Sequence, residues 1–502
     1  MPDWTYHPLR GFAATLLGTR RSQRTALRFI GAVGSLPGGG RLIARMLGHR
    51  HPPAHLAGDV RGIPVRSRLG AVVPPSVARD AMRALPLVGA GSIWVTPVSL
   101  ADVPAIREAA VGRRVPLVVG SDAPEVAAAL AADVDAIGTV GSPDVVCVTS
   151  SSVSAAVEAL TDPSAVVLAT PSVLVEAGPG WFTRVFEAAT PTSSPPRHVG
   201  LDPRRWPAWW WGLLVSLGMI VAGLGAAAIT LGPVLLWYDR DFLGMGLDEL
   251  HALNHHLVPF LRHDRIAMAG TMIAIGVLYA GLAVGGIRRG WGWAREAYLA
   301  SGWIGFPSLL YFLGFGFLEP LHTAVTVMLF PMFLLATWRA PNRPQWTVMP
   351  DGPEGERRKA LVGQLMMLCT GASLFIGGAV VSVVGLTDVF VPSDLVFLNV
   401  EADALSPRLV SFIAHDRAGF GGALMAAAVA IVLLSAWGWR RGESWVWWSL
   451  AAAAVFGFLP AVLVHGVIHY TDFLHLAPVF AGVVLTATAL TLARPHLCAR
   501  LR

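Results

Sequence analysis

The residues best suited to chemistry are two histidine–aspartate–arginine triplets. His263-Asp264-Arg265 stands in PFLRHDRIAMAG, Pro259 to Gly270, and His415-Asp416-Arg417 stands in SFIAHDRAGFGG, Ser411 to Gly422. Each joins an imidazole that titrates near neutrality to a carboxylate and a permanent cation. Later in each copy comes a carboxylate with a histidine three residues on, Glu319-Pro320-Leu321-His322 and Asp472-Phe473-Leu474-His475. Residues at i and i+3 share a helix face, so carboxylate and imidazole can converge. His465 and His469 form an i, i+4 pair on one helix face, where both could contact one metal ion. A haem b would need axial ligands from opposite faces of the porphyrin, setting His465 or His469 against a histidine of another span. In the first copy the matching positions are Phe312 and Gly316, so any such site is asymmetric. Three uses suit these groups: a polar vestibule, a divalent metal site, or acid/base work. A plainer reading makes Asp264 and Asp416 helix N-caps, each followed by an arginine anchored at the bilayer interface.

The elements that must position these groups are apolar spans. The chain has 502 residues, 54% of them hydrophobic and only 14% charged, against the roughly 25% charged usual in soluble domains. Eight spans are expected, at about 209–232, 265–286, 297–317, 320–338, 361–385, 417–437, 445–468 and 474–493, each near the roughly 20 residues needed to cross a bilayer. Similarity around the triplets extends outward, Arg288-Arg289-Gly290 answering Arg440-Arg441-Gly442 and Pro307 answering Pro460. Spans one to four and five to eight are therefore read as two repeats, over residues 208–356 and 357–502. Four spans return the chain to its starting side, so the copies are parallel. Pro307 and Pro460 with nearby glycines thin the helices at matched depths, as a packing device or as the discontinuity of a ligand site.

Arg288, Arg289 and Arg295, then Arg339, Arg343, Arg357, Arg358 and Lys359, then Arg440 and Arg441, and finally Arg494, Arg500 and Arg502 all fall on one side. The opposite loops, 234–264 and 387–416, hold Asp239, Asp241, Asp248, Glu249, Asp388, Asp394, Glu401 and Asp403. The positive-inside rule then sets both termini in the cytoplasm of a bacterial-type plasma membrane, with the triplets at the outer face. The net charge of +6 is thus a topology signal. No basic groove with interleaved aromatics points to nucleic acid. Cys147, Cys369 and Cys498 are too scattered for a disulfide framework or a CxxC motif. The N-terminus lacks the apolar core and cleavage site of a signal peptide.

Ahead of the spans lie an amphipathic helical region, 1–58, and a β/α region, 59–190, joined to the membrane part by a Pro/Ser-rich linker, 191–207. Arg20, Arg21, Arg24 and Arg28 interrupt the apolar stripe of the first region, which either caps the next domain or lies on anionic lipid. Candidate strands are Arg68 to Val73, Ser92 to Thr96, Val115 to Val119, Ala136 to Thr139, Val145 to Thr149 and Ala165 to Ala169, alternating with Ala-rich helices. Gly138, Gly141, Gly178 and Gly180 at turns are weak candidates to cradle a cofactor phosphate.

The runs HPLRGFAATLLGTRRSQRTALRFIGAVGSLPGGGRLIARMLG, LAGDVRGIPVRSRLGAVV and AVVLATPSVLVEAGPGWFTRVFEAA resemble the membrane-associated, quinone-linked dihydroorotate dehydrogenases over roughly residues 7 to 190. The resemblance implies a helical extension before an FMN-binding TIM barrel, with quinone as partner. Where that family has Gly-Phe-Asp-Lys, this chain has Ala71-Val72-Val73-Pro74-Pro75-Ser76, and its first lysine is Lys359. A flavin site usually needs a fixed cation near the flavin. The β/α region is also far short of the roughly 250 residues of a complete barrel. The reading is a truncated, TIM-barrel-like, catalytically silent domain fused to an all-α polytopic membrane domain. Its expected function is transport, ligand binding or assembly around the His/Asp/Arg groups. The alternative is a flavin- or haem-dependent, quinone-linked oxidoreductase. Expected partners are the lipid bilayer, a small molecule or quinone, and further copies or other subunits.

Overall fold

The structure is a computed structural model and describes residues 7–46, 52–139, 141–190, 202–317, 319–338, 352–401 and 404–499. Most of the linker expected over 191–207 lies outside the described residues, as do Arg339, Arg343, Asp403, Arg500 and Arg502. The chain forms two compact units. One is built on Met1–Ser193 with Trp346–Leu361 and Arg440–Gly442. The other holds Ser194–Gln345, Val362–Trp439 and Glu443–Arg502.

The first unit opens with helices α1 (His7–Leu17), α2 (Thr19–Ser35) and α3 (Gly39–Met46). A hairpin follows, β1 (Gly58–Val60) and β2 (Ile63–Val65). Its turn, Arg61-Gly62, has φ of 56° and 84°, the left-handed pair of a two-residue hairpin loop. Then come β3 (Leu69–Val73), α4 (Ala78–Val88), β4 (Ile93–Val95), α5 (Val103–Ala110), β5 (Leu117–Val119), α6 (Pro124–Leu130), β6 (Ala136–Ile137), β7 (Val145–Val148), α7 (Val153–Ala159), β8 (Val166–Ala169), α8 (Pro171–Ala177) and α9 (Trp181–Ala189). The six expected strands are all present. Strand β3 is buried along its whole length, as in parallel sheets covered on both faces.

All pairings among these six are parallel, in the order β6-β5-β4-β3-β8-β7. Neighbours follow chain order, with β8 returning to β3, which is the cyclic order of a β/α barrel. Among the described residues strands β6 and β7 do not pair, so the ring is open between them. One face of the sheet packs Val72, Trp94, Val118, Val166 and Leu168 against Val60 and Val65 of the hairpin. The alternate residues face the helices. Trp94 is fully buried where a barrel enzyme would keep its interior layers, and the hairpin closes over it.

Among the described residues eight helices, lying almost wholly in the second unit, are long and apolar enough to cross a membrane. They are α10 (Ala208–Leu231), α13 (Leu257–Gly281, running on through a wider π turn and a tighter 3-10 turn to Arg289), α14 (Gly292–Ser308), α15 (Pro320–Trp338), α16 (Glu354–Leu386), α18 (Pro407–Gly438), α19 (Ser444–Ile468) and α20 (Phe473–Leu497). Short helices α11 (Trp237–Leu243), α12 (Leu247–Leu253) and α17 (Pro392–Leu398) lie in the two acidic loops. Helices α13 and α18 are mostly buried, while the other six present most of their residues outward. A helix apolar all round belongs either in a core or in lipid, and these two form the core.

Both triplet-bearing helices start earlier than expected, at Leu257 and Pro407 rather than near 265 and 417. Asp264 and Asp416 therefore sit well inside helices and are not N-caps; in α18 the capping hydroxyl is Ser406, accepting from the Leu409 amide at 3.3 Å. The polar triplets had marked the apparent ends of the apolar runs, but the helices continue because these charges find partners. The prolines also behave differently from the matched breaks expected. Helix α14 stops at Ser308, one residue past Pro307, whereas α19 runs through Pro460 to Ile468.

The glycine closing each triplet segment allows a close approach. A Cβ at Gly270 would overlap the Phe456 carbonyl oxygen of α19 and lie 3.0 Å from Pro460 Cγ. One at Gly422 would overlap Ser308 of α14. Gly270→Val is expected to destabilise the fold by about 1–3 kcal/mol, since neither backbone can give way freely. Thermal melting of the variant in detergent measures this.

Candidate functional site

The arginines of the two triplets exchange partners across the α13–α18 contact. Arg265 Nε donates to Asp416 Oδ2 at 2.7 Å, and Arg417 Nε donates to Asp264 Oδ2 at 3.0 Å. Each guanidinium also donates to a turn carbonyl, Arg265 to Val234 at 2.6 Å and Arg417 to Val389 at 2.8 Å. Those two valines have φ of 62° and 67°, a left-handed conformation that β-branched residues rarely adopt. The strain is matched by a buried cation held at each turn. Asp394 Oδ2 accepts from Arg417 at 2.5 Å, while Asp239 Oδ2 lies 3.8 Å from Arg265. Both carboxylates also cap short helices, taking the amides of Leu236 at 2.9 Å and Val391 at 2.8 Å. The guanidinium of Arg265 lies over Phe412 at 4.8 Å and that of Arg417 over Phe260 at 5.0 Å.

Two histidine clusters flank this ionic centre. At His263, Nδ1 lies 2.9 Å from Asp264 Oδ1, off the line of an ideal hydrogen bond. Its Nε2 lies 2.9 Å from Nε2 of His465. His465 Nδ1 meets the Ala461 carbonyl at 2.5 Å. The ring of His475 stands 5.0 Å from His465 and 5.6 Å from His263. One nitrogen from each of these three imidazoles falls within 4.8 Å of the others, a grouping able to hold a metal ion. Tyr470 closes the cluster, its hydroxyl donating to Asp394 at 2.9 Å. At His415, Nδ1 donates to Asp416 at 3.1 Å, and its ring is 5.2 Å from His322. Glu319 accepts from the Tyr238 hydroxyl at 2.7 Å and from the His322 amide.

The structure thus brings together nine of the residues singled out from sequence: both triplets, Glu319, His322 and His475, with His465 as a tenth. Two do not join. Asp472 is exposed and caps α20 through the His475 amide at 2.8 Å. His469 is not on the helix face of His465: α19 ends at Ile468, and His469 is an exposed left-handed cap with φ of 59°. His251 and His255, in the first acidic loop, are exposed. The grouped side chains are buried, His263, Asp264, His415, Asp416 and Arg417 each being at most 6% exposed. His263 and His465, with Nε2 atoms in contact, leave no room between them for a porphyrin plane.

Tyr238, Asp239, Asp394 and Tyr470 were not singled out as site residues. A signal did exist for the two acids, since Asp239-x-x-Phe242-Leu243-Gly244 resembles Asp394-x-x-Phe397-Leu398-Asn399. Burial pushes the carboxyl of Asp239 up to about 6, against the opposing pull of Arg265. An acid that binds its proton more tightly when folded adds stability below its unfolded value of about 3.9, and that stability is lost as pH rises through about 6. Asp239→Asn should remove this loss, so its melting temperature relative to the parent rises between about pH 4 and pH 6.

In the first unit the candidate glycines sit at separate turns. Gly138 follows the C-terminal end of β6, an edge strand, and Arg61 packs on it. Gly178 ends α8, which returns from the C-terminal end of β8, and Gly180 caps α9. Comparison with family models, curated proteins and solved structures finds no match to this chain.

Proposed function

We propose that this polytopic membrane protein handles a first-row transition-metal ion, in the manner of a transporter or an assembly factor, at His263, His465 and His475. The observation that carries this reading is the 2.9 Å approach of two Nε2 atoms whose Nδ1 atoms both face oxygen acceptors. With the proton on each Nδ1, beside its carboxylate or carbonyl oxygen, a lone pair stands on each Nε2. Two lone pairs at that distance repel unless a proton or a cation lies between them. Asp264 beside His263 is also the carboxylate partner that orients a metal-ligating imidazole and raises its basicity. Three imidazoles leave a coordination position open, as an ion in transit or a bound ligand requires. Imidazole suits zinc, copper, nickel and iron.

The ionic centre is read as the joint that holds the two repeats in register, since each arginine uses the other repeat's carboxylate. The β/α unit is proposed to be a shortened, catalytically silent relative of the quinone-linked dihydroorotate dehydrogenases. Support comes from its cyclic strand order, open where middle strands would stand, and from Trp94 filling the interior.

The test is metal analysis with a visible spectrum on detergent-purified protein, followed by cobalt(II) titration. One equivalent per chain with a tetrahedral cobalt spectrum supports the reading. A protein that binds no metal retires it. A flavin or haem band would favour the quinone-linked oxidoreductase instead.

A further inference from the structure

A pocket of about 260 Å³ lies between α10, α13 and α15, on the His415 side of the ionic centre. Its walls are Ala222, Gly225, Ile229, Met268, Met272 and Val325. Its end is polar, with Tyr238, Arg265, Glu319, His322, His415 and Asp416. Gly225 and Leu321 at its margin are exposed, and beside them Val221 and Leu224 are 67% and 54% exposed on an apolar span. The mouth therefore opens sideways onto the surface that faces lipid. Around His263 the corresponding place is taken by the rings of His465 and Tyr470, at 4.3 and 5.8 Å.

We infer that this pocket takes the head of an uncharged, membrane-soluble amphiphile whose head carries hydroxyl or carbonyl oxygens. Size allows a head group rather than a whole lipid. An ionised phosphate head is poorly served, because Arg265 is already engaged by Asp416 and the Val234 carbonyl, and Asp239 and Glu319 stand close by. What the pocket offers is hydrogen bonding. Glu319 presents a carboxylate, and His322 Nδ1 is buried with no hydrogen-bond partner among the described residues, Glu319 Oε2 lying 3.6 Å away. Leaving a buried polar atom unpaired is destabilising. A hydroxyl that donates to His322 Nδ1, or a carbonyl that accepts from it, removes that cost. The thioethers of Met268 and Met272 suit an aromatic or quinonoid ring beside them. The inference uses none of the three proposed metal ligands and stands or falls apart from them.

The test measures saturable binding to the full chain in lipid nanodiscs by native mass spectrometry. The probes are a short-chain ubiquinol, a diacylglycerol and dodecyl phosphate. Gly225→Leu fills the mouth, where an added Cβ meets nothing within 4 Å, and His322→Leu removes the unpaired nitrogen. One molecule of ubiquinol or diacylglycerol per chain, weakened at least about tenfold in both variants, is the expected result. Metal content is read in parallel and should not move, and neither variant should lower the melting temperature of the ligand-free protein. Preference between the two neutral probes tells a quinol from a lipid alcohol. Binding of dodecyl phosphate as tight as either, or neutral-probe binding that is absent or unmoved by both variants, overturns the inference.

Discussion

His465→Ala is expected to lower the affinity for zinc or cobalt by at least about 100-fold, with His475→Ala close behind. Loss of a group that merely orients a ligand typically costs 10–100-fold, and these side chains are read as ligands themselves. His469→Ala is the matched control. It lies four residues from His465 in sequence, yet it is exposed beyond the end of α19 and should leave metal binding unchanged. Competition titration with a chromophoric chelator reads all three variants. Equal affinity in His465→Ala and the parent would show that the short Nε2–Nε2 approach is bridged by a proton and not by a metal. Because α19 carries an apolar surface over nearly its whole length, removing one imidazole should leave folding intact. The comparison therefore reads binding rather than stability.

Arg417→Ala should cost about 3–5 kcal/mol of stability, the usual result of stripping the partner from buried charge. Asp394 is fully buried and Asp264 is 6% exposed, and both carboxylates receive their cation from this one side chain. Arg265→Ala should cost less. Its second carboxylate, Asp239, is 3.8 Å away and already draws toward its neutral form, so less charge is stranded. Denaturant melts of both variants, with Asp264→Ala and the Asp264→Ala/Arg417→Ala double variant, complete a thermodynamic cycle. Coupling above about 1.5 kcal/mol is expected for so close a charge pair. A single-variant loss under about 1 kcal/mol would mean that water reaches this centre, as it does for exposed ion pairs.

Much of the membrane unit could be read from residue order because hydropathy is local. A run of about 20 apolar residues must be helical in a bilayer, where every backbone polar group has to be satisfied within the segment. The same locality exposed the six strands of the β/α unit, whose apolar runs alternate with helical stretches. Charges were legible as anomalies at the margins of these runs, which is how the triplets, Glu319, His322 and His475 came to notice. Their partners were not legible. Arg265 sits next to Asp264 in the chain but bonds Asp416, because adjacent residues on a helix point in different directions while facing helices meet side by side. His263 and His465 are far apart in sequence, and they meet across the α13–α19 packing that Gly270 keeps close. His469 failed as a candidate because helix length, not spacing, decides whether i and i+4 share a face. The open ring of the sheet likewise depends on which edges pair, a non-local choice. Local composition and periodicity determined the elements and marked the polar residues; tertiary packing decided which of those residues meet, since burying a charge requires a partner wherever in the chain that partner lies.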